Sequence, residues 1–420
     1  MTESADGLAP SDRADIGPPA APLTLRDGLP KVVATQRELA ESTAALRAGG
    51  GPVAVDAERA SGYRYSQRAY LIQLRRAGAA TVLIDPVPFG DVPNDALAPL
   101  GAALADQEWV LHAASQDLAG LAEVGLVPTR LFDTELAGRL LNYPRVGLAV
   151  LVEELLGYSM RKEHSAVDWS RRPLPESWLR YAALDVELLV ELRDRLAEQL
   201  DAAGKSEWAR QEFAARVEAA LPGPRTDPWR RTAGIHRVRG RRGLAIVRAM
   251  WRTRDDLARS RDLAPSKVLR DDALVQAAQA APASRPALLR LAGFANRSGQ
   301  RYAKEFLSAV RSALALTDAE LPTVAMPLDG PPPARAWAAK HPAAAARLVA
   351  CRTVVSELAV ELDLPQENLL SPDAVRRLAW PPPQSRSGDE VAQALASFGA
   401  RRWQVELTAG PLAEALAGLD

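Results

Sequence analysis

The sequence predicts an α/β domain followed by all-helical modules. Three observations lead there: short β-rich runs crowd into residues 53–112, helical periodicity fills nearly everything after about residue 134, and proline clusters interrupt the helical part. At 420 residues, and about 150 residues per domain, the length allows two or three domains. Hydrophobic residues make up 47% and charged residues 25%, which is the ordinary globular range. The one cysteine, Cys351, excludes a disulfide framework and a Cys-based zinc ribbon, and four histidines leave little for a His-rich metal site. No run approaches the roughly 18 apolar residues of a membrane span, and no basic-then-apolar signal opens the chain. The expectation is a soluble, cytoplasmic protein of several domains with no membrane partner.

Each element follows from local chemistry. Residues 1–29, with Pro10, Pro18, Pro19, Pro22 and scattered acids, read as a disordered tail. Pro52-Val-Ala-Val-Asp-Ala-Glu58, Tyr70-Leu-Ile-Gln-Leu74 and Thr81-Val-Leu-Ile-Asp85 read as strands, with turn signals at Arg76-Ala-Gly78 and Pro86. Trp109-Val-Leu-His112 fits a fourth strand, followed by a helix over about 115–123. From Thr134 onward helices dominate. Breaks at Pro222-Gly-Pro224 and across 322–333, including Pro331-Pro-Pro333, divide the chain into 30–221, 222–321, a Pro-rich linker 322–333, and 334–420. Pro381-Pro-Pro383 through Gly388 reads as a loop inside the last segment.

Lys+Arg and Asp+Glu balance at 52 each, but the balance hides a segregation. Residues 206–319 carry 22 basic and 11 acidic groups, net +11, whereas 30–205 carry 19 and 24, net −5. Residues 225–254 alone hold ten arginines and one acid, Asp227. Such asymmetry suggests a polyanion-binding module; a solvated charged face is the competing explanation.

Asp56-Ala-Glu58 ends the first apolar strand. Side chains alternate along a strand, so both carboxylates point to one face, where charge is costly unless a cation is near. Asp117 opens the helix after the fourth strand, five residues beyond His112. Tyr181 and Asp185, in Trp178-Leu-Arg-Tyr181-Ala-Ala-Leu-Asp185, stack one turn apart on a helix. Taken singly, these are equally a solvated strand end, a helix-dipole aspartate and an amphipathic helix surface.

Taken in order, the four carboxylates and the tyrosine resemble the DEDDy subgroup of 3′→5′ exonucleases. The intervening Lys162-Glu-His-Ser-Ala-Val-Asp168-Trp169-Ser-Arg-Arg-Pro173-Leu and Phe132-Asp133-Thr134-Glu-Leu-Ala137 resemble the ribonuclease D family within it. The chain departs from the family in having D-A-E where D-T-E is common; the middle residue points to the opposite face. The resemblance implies an RNase-H-like fold with a mixed five-stranded sheet, followed by two small helical bundles of the HRDC type. It implies a metal-dependent exoribonuclease that trims 3′ ends of structured RNA such as tRNA precursors, acting as a monomer. Two divalent ions, Mg²⁺ or Mn²⁺, suit hard oxygen ligands. By resemblance Asp56, Glu58 and Asp185 hold the ion that activates water, Asp56 and Asp117 hold the second, and Tyr181 orients the water. A tyrosine pKa near 10 makes it a poor base at neutral pH. Asp133 reads as a helix cap and His112 as a structural histidine beside the site. A DNA exonuclease and a catalytically silent RNA-binding protein are the alternatives, because carboxylate chemistry does not see the 2′-hydroxyl.

In the basic segment, Pro228-Trp-Arg-Arg-Thr-Ala-Gly-Ile-His-Arg237-Val-Arg239-Gly-Arg241-Arg242 leads into a helix over about 244–259 containing Arg252 and Arg254. These six arginines, Arg237, Arg239, Arg241, Arg242, Arg252 and Arg254, are the candidate RNA contacts. Leu288-Leu-Arg-Leu-Ala-Gly-Phe294 followed by Gly299 resembles an HRDC domain, and 334–416 a second, diverged copy. Trp403 reads as a core residue at a helix start flanked by solvated Arg401 and Arg402, and Cys351 as a buried, apolar-like residue.

Overall fold

Val53, Ala54 and Val55 are all fully buried, the mark of a strand covered on both faces, and the rest of the first domain is built around them. The computed structural model describes residues 20–90, 97–161, 167–219, 226–324 and 330–419. Residues 1–19, Lys162 to Ala166, the Pro222-Gly-Pro224 break and residues 325–329 of the linker lie outside the described residues.

The first domain opens with β1 (Ala21–Pro22), β2 (Val32–Val33), α1 (Gln36–Ala48), β3 (Gly50–Arg59), β4 (Ala69–Ala77) and β5 (Ala79–Ile84). It continues through α2 (Ala98–Ala103), β6 (Glu108–Leu111), α3 (Leu118–Ala122), β7 (Arg130–Asp133), α4 (Thr134–Leu140), α5 (Leu148–Leu156) and β8 (Tyr158–Ser159). Three helices close it: α6 (Glu176–Asp185), α7 (Leu189–Ala202) and α8 (Ser206–Glu218). The main sheet runs β2-β5-β4-β3-β6-β7, antiparallel across β3–β4–β5 and parallel elsewhere. It is the expected mixed sheet of β3 to β7, extended at the β5 edge by the two-residue β2.

Directly paired residues of antiparallel strands share a face. Asp56 pairs with Gln73 and Glu58 with Leu71, and Leu71 packs with Trp169 and with Ala182 and Ala183 of α6. The α6 helix therefore lies over the sheet face that carries the two carboxylates. The Trp169 segment is pinned from the other side: Arg172 makes a bidentate pair with Asp85, at 2.6 and 2.7 Å, and donates to Tyr70 O at 2.7 Å.

Residues 20–29 correct the expectation of a disordered tail. Ala21 and Pro22 pair in parallel with Tyr158 and Ser159. Arg26 meets Glu191 at 2.5 Å, and Asp27 meets Arg75 at 3.0 Å. These are backbone and ion-pair contacts to residues far along the chain, so composition could not show them.

The basic module comprises α9 (Gly240–Ser260), α10 (Pro265–Val268), α11 (Asp271–Ala280), α12 (Arg285–Leu289), α13 (Arg297–Arg301) and α14 (Ala303–Ala315). It has its own core, from Trp229 through Ile246, Leu274 and Phe306 to Leu321. Gly293 permits the closest approach within it, since an added Cβ would sit 2.3 Å from Ala273 Cβ.

The last segment comprises α15 (Trp337–Lys340), α16 (Pro342–Glu361), α17 (Gln366–Leu369), α18 (Pro372–Ala379), α19 (Gly388–Ser397) and α20 (Arg402–Ala417). Its core is continuous with that of the first domain. Trp403 is buried and stacks on Trp208 of α8 at 4.8 Å, while Arg402 pairs with Glu406 in solvent. Cys351 is fully buried.

The two helical series run alike. After each long helix the chain turns at an aspartate of positive φ, Asp262 at 44° and Asp363 at 50°, and then makes a four-residue helix. Both corners dock on the first domain. Asp262 accepts from Tyr65 N at 3.1 Å and Ser66 N at 3.0 Å. Asp363 accepts from Asn142 Nδ2 at 2.6 Å, and its carbonyl from Lys205 Nζ at 2.9 Å. Among the described residues no helix is long and apolar enough to cross a membrane.

Candidate active site

Alternation on β3 aims Asp56 and Glu58 at the start of the site, and the last turn of α6 brings Asp185 to meet them. One carboxylate oxygen from each of these three residues lies within 4.8 Å of the other two. Asp117, at the N-cap of α3, faces the same cavity of about 520 Å³, as do Tyr181 and His112. The structure thus brings all five sequence-chosen residues to one place.

Asp117 reaches the cavity through an unusual turn. Ala113 has φ of 56°, a conformation that costs a non-glycine residue energy. Asp133 holds it there: its two carboxylate oxygens accept from Ala113 N and Ala114 N, each at 3.0 Å. The same side chain caps α4 by accepting from Glu135 N and Leu136 N, at 3.0 and 3.2 Å. Asp133 is a cap, as expected, and it also shapes the loop that carries Asp117.

His112 is enclosed and paired. Its Nδ1 lies 2.9 Å from Thr134 Oγ1, which is also within 3.3 Å of Leu111 O. Burial pushes its pKa down to about 4, which keeps the ring neutral at physiological pH.

The carboxylates are strongly perturbed. Burial pushes Asp56 up to about 6, and burial together with the charge of Asp56 pushes Glu58 up to about 10. Burial, then the charge of Asp56, raises Asp117 and Asp185 as well. None of the four forms an ion pair among the described residues. Four clustered carboxyls cannot all ionise without a cation, and this hard-oxygen set fits Mg²⁺ or Mn²⁺. Tyr181 donates a hydrogen bond to Asp185. Burial and the neighbouring carboxylates raise its pKa further, so it stays protonated.

The six candidate RNA arginines divide. Arg254 is buried and pairs with Asp271 at 2.6 Å, also donating to Leu269 O at 3.1 Å. Arg241 donates to Asp318 O at 2.8 Å and Leu321 O at 2.7 Å. Arg242 donates to Leu316 O at 2.5 Å and pairs with Asp318 at 3.3 Å. Arg254 thus ties α9 to α11, Arg242 ties it to the end of α14, where last-turn carbonyls need donors, and Arg241, itself exposed, ties it to the segment after α14. Arg237, Arg239 and Arg252 are exposed.

Sequence reasoning passed over Arg59, Gln116 and Arg161, which also line the cavity. Arg59 gave no signal because alternation puts it on the opposite strand face from Glu58.

Comparison with known proteins follows the same division. The family described as 3′-5′ exonuclease matches residues 30–201, the HRDC domain matches 243–310, and a 3′ to 5′ exonuclease C-terminal domain matches 330–416. The chain is 34% identical to a ribonuclease D of Gluconacetobacter diazotrophicus over 295 residues, 68% of this chain and 73% of that one. A ribonuclease D of Acidiphilium cryptum is 34% identical over 300 residues, again 68% and 73%. A solved structure from Bifidobacterium adolescentis superposes with a TM-score of 0.85 at 36% identity, covering 95% of this chain and all of that one. Escherichia coli RNase D, described as an exoribonuclease involved in structured RNA processing, superposes with a TM-score of 0.68 at 28% identity, covering 88% and 98%.

Proposed function

We propose, from the premise that this chain belongs to the ribonuclease D family and is a 3′→5′ exoribonuclease, that it releases nucleoside 5′-monophosphates by two-metal hydrolysis. The exonuclease family is divalent-metal dependent. The observation that carries the reading is the approach of Asp56, Glu58 and Asp185 to within 4.8 Å, with Asp117 and Tyr181 on the same cavity.

Asp56, Glu58 and Asp185 would hold one ion, and Asp56 and Asp117 the other. Bound there, two divalent cations ease deprotonation of the attacking water and stabilise charge on the leaving 3′-oxygen. Tyr181, protonated and tied to Asp185, presents its hydroxyl to the water and orients it. Neutral His112 adds no charge to the cavity; through Thr134 it braces the β6 end against α4.

The substrates we assign are 3′ ends of structured RNA such as tRNA precursors, handled by a monomer in the cytoplasm. Arg237, Arg239 and Arg252 are the RNA contacts on the basic module. We divide the chain into the nuclease, 30–221, an HRDC module, 222–321, a linker, 322–333, and a second, diverged HRDC-like module, 334–420. The matching aspartate corners at Asp262 and Asp363 support the last assignment.

Matched 5′-labelled RNA and DNA oligonucleotides, incubated with Mg²⁺ or Mn²⁺, test the function. The expected result is an RNA ladder shortened stepwise from the 3′ end. Internal cuts, or DNA degraded in preference to RNA, would overturn it.

A further inference from the structure

Strict alternation along β3 would turn Arg59 away from the carboxylates. The strand register changes at that step. Glu58 pairs with Leu71 but Arg59 pairs with Ala69, so β4 carries one extra residue, Tyr70, across from it. Arg59 is also the last residue of β3, where alternation ends, and it lines the cavity alongside Glu58 and Asp117. Its stem crosses α3: a Cβ added at Gly120 would lie 3.3 Å from Arg59 Cδ, one turn beyond Asp117.

This guanidinium is unengaged. Among the described residues the Arg59 side chain makes no hydrogen bond or ion pair, whereas Arg75, Arg172 and Arg193 of the same domain each hold a carboxylate. Its charge pulls the Glu58 and Asp117 carboxyls down against the effect of burial. Two divalent cations would balance the four carboxylates by themselves, which leaves the Arg59 donors for another anion.

We propose that Arg59 binds the internucleotide phosphate one step upstream of the scissile one. The inference rests on the reading of the site given above, in which Asp117 serves the leaving 3′-oxygen. That oxygen belongs to the upstream nucleotide, so a cation on the Asp117 side meets the upstream phosphodiester. A planar guanidinium suits two phosphate oxygens at once.

The test is single-turnover nucleotide release from RNA by wild type, Arg59→Gln and Arg59→Lys. Each is measured on unmodified RNA and on RNA with one uncharged methylphosphonate linkage, placed in turn at each of the last few phosphates upstream of the scissile one. Arg59→Gln should raise the half-saturating enzyme concentration about 10-fold or more on unmodified RNA, leave half-saturation by Mg²⁺ unchanged, and be partly restored by Lys. For wild type, the methylphosphonate penalty should peak at the first upstream phosphate, and Arg59→Gln should lose that peak. A wild-type penalty with no peak there overturns the inference even if the Gln variant fails to fold. So does an equal penalty in both proteins, or an effect of the substitution confined to Mg²⁺ half-saturation. Wild type that releases nothing from unmodified RNA overturns the reading of the site instead.

Discussion

Asp185 and Asp56 each contribute one oxygen to the tight carboxylate trio, and among the described residues neither forms an ion pair. Asp185→Asn should therefore abolish nucleotide release while circular dichroism reports an unchanged fold; turnover near wild type would remove Asp185 from the metal site. Tyr181→Phe keeps the ring and loses the hydroxyl that donates to Asp185. Turnover should fall about 10²-fold, the size expected for an orienting or proton-handling group, with RNA affinity unchanged. Full single-turnover activity would reduce Tyr181 to packing. The raised carboxyls also set a pH dependence. Without metal, the folded chain holds protons on Asp56 up to about pH 6 and on Glu58 up to about pH 10, where the unfolded chain has lost them above about pH 4. Stability of the metal-free protein thus falls as pH rises through that window. Metal requires the ionised form, so the rise in Tm on adding Mg²⁺ should be larger at pH 8 than at pH 6. A larger rise at pH 6 would contradict the assignment.

Elements explain which arginines serve the fold. Helix α9 buries Leu244, Ile246, Val247 and Met250 on one side, and Arg254 enters that same buried layer to pair with Asp271. Arg254→Leu should destabilise the basic module toward the lower end of the roughly 3–5 kcal/mol seen when a buried pair loses one partner, since Asp271 stays one-third exposed at 34%. A thermal melt unchanged from wild type would show that the pair contributes nothing. The sequence pattern showed Arg254 only as part of a dense basic run, because its partner lies in the next helix but one and cannot be read from local spacing. The same limit applies to β2 and β1, two-residue strands too short for any alternation. By contrast β3, β4, β5 and β6 were legible from their apolar runs, and Asp56, Glu58, Asp117, Tyr181 and Asp185 from their order along the chain. Arg59 was hidden because it ends β3, where alternation no longer tells which way a side chain turns.

On the scale of the whole molecule, a nuclease region of net −5 is docked to a basic segment of net +11 by the Asp262 corner, while the last segment shares the nuclease core. Repulsion between a polyanion and the acidic region favours the exposed arginines as the source of affinity. Replacing Arg237, Arg239 and Arg252 together by Gln should weaken RNA binding and flatten the slope of log affinity against log salt by up to about 2 units, at roughly 0.7 per phosphate on a single strand. The single-turnover rate at saturating RNA should hold. An unchanged slope would place the RNA elsewhere on the surface.

The central claim is that one carboxylate, Asp56, serves both cations and so underlies every turnover. Single-turnover release of nucleoside 5′-monophosphate by wild type and Asp56→Asn, followed across a Mg²⁺ series, tests it most directly. Wild type should release nucleotides from the 3′ end with a steeper than first-order dependence on Mg²⁺, and a folded Asp56→Asn should release none at any concentration. Release by Asp56→Asn at a rate near wild type would contradict the account.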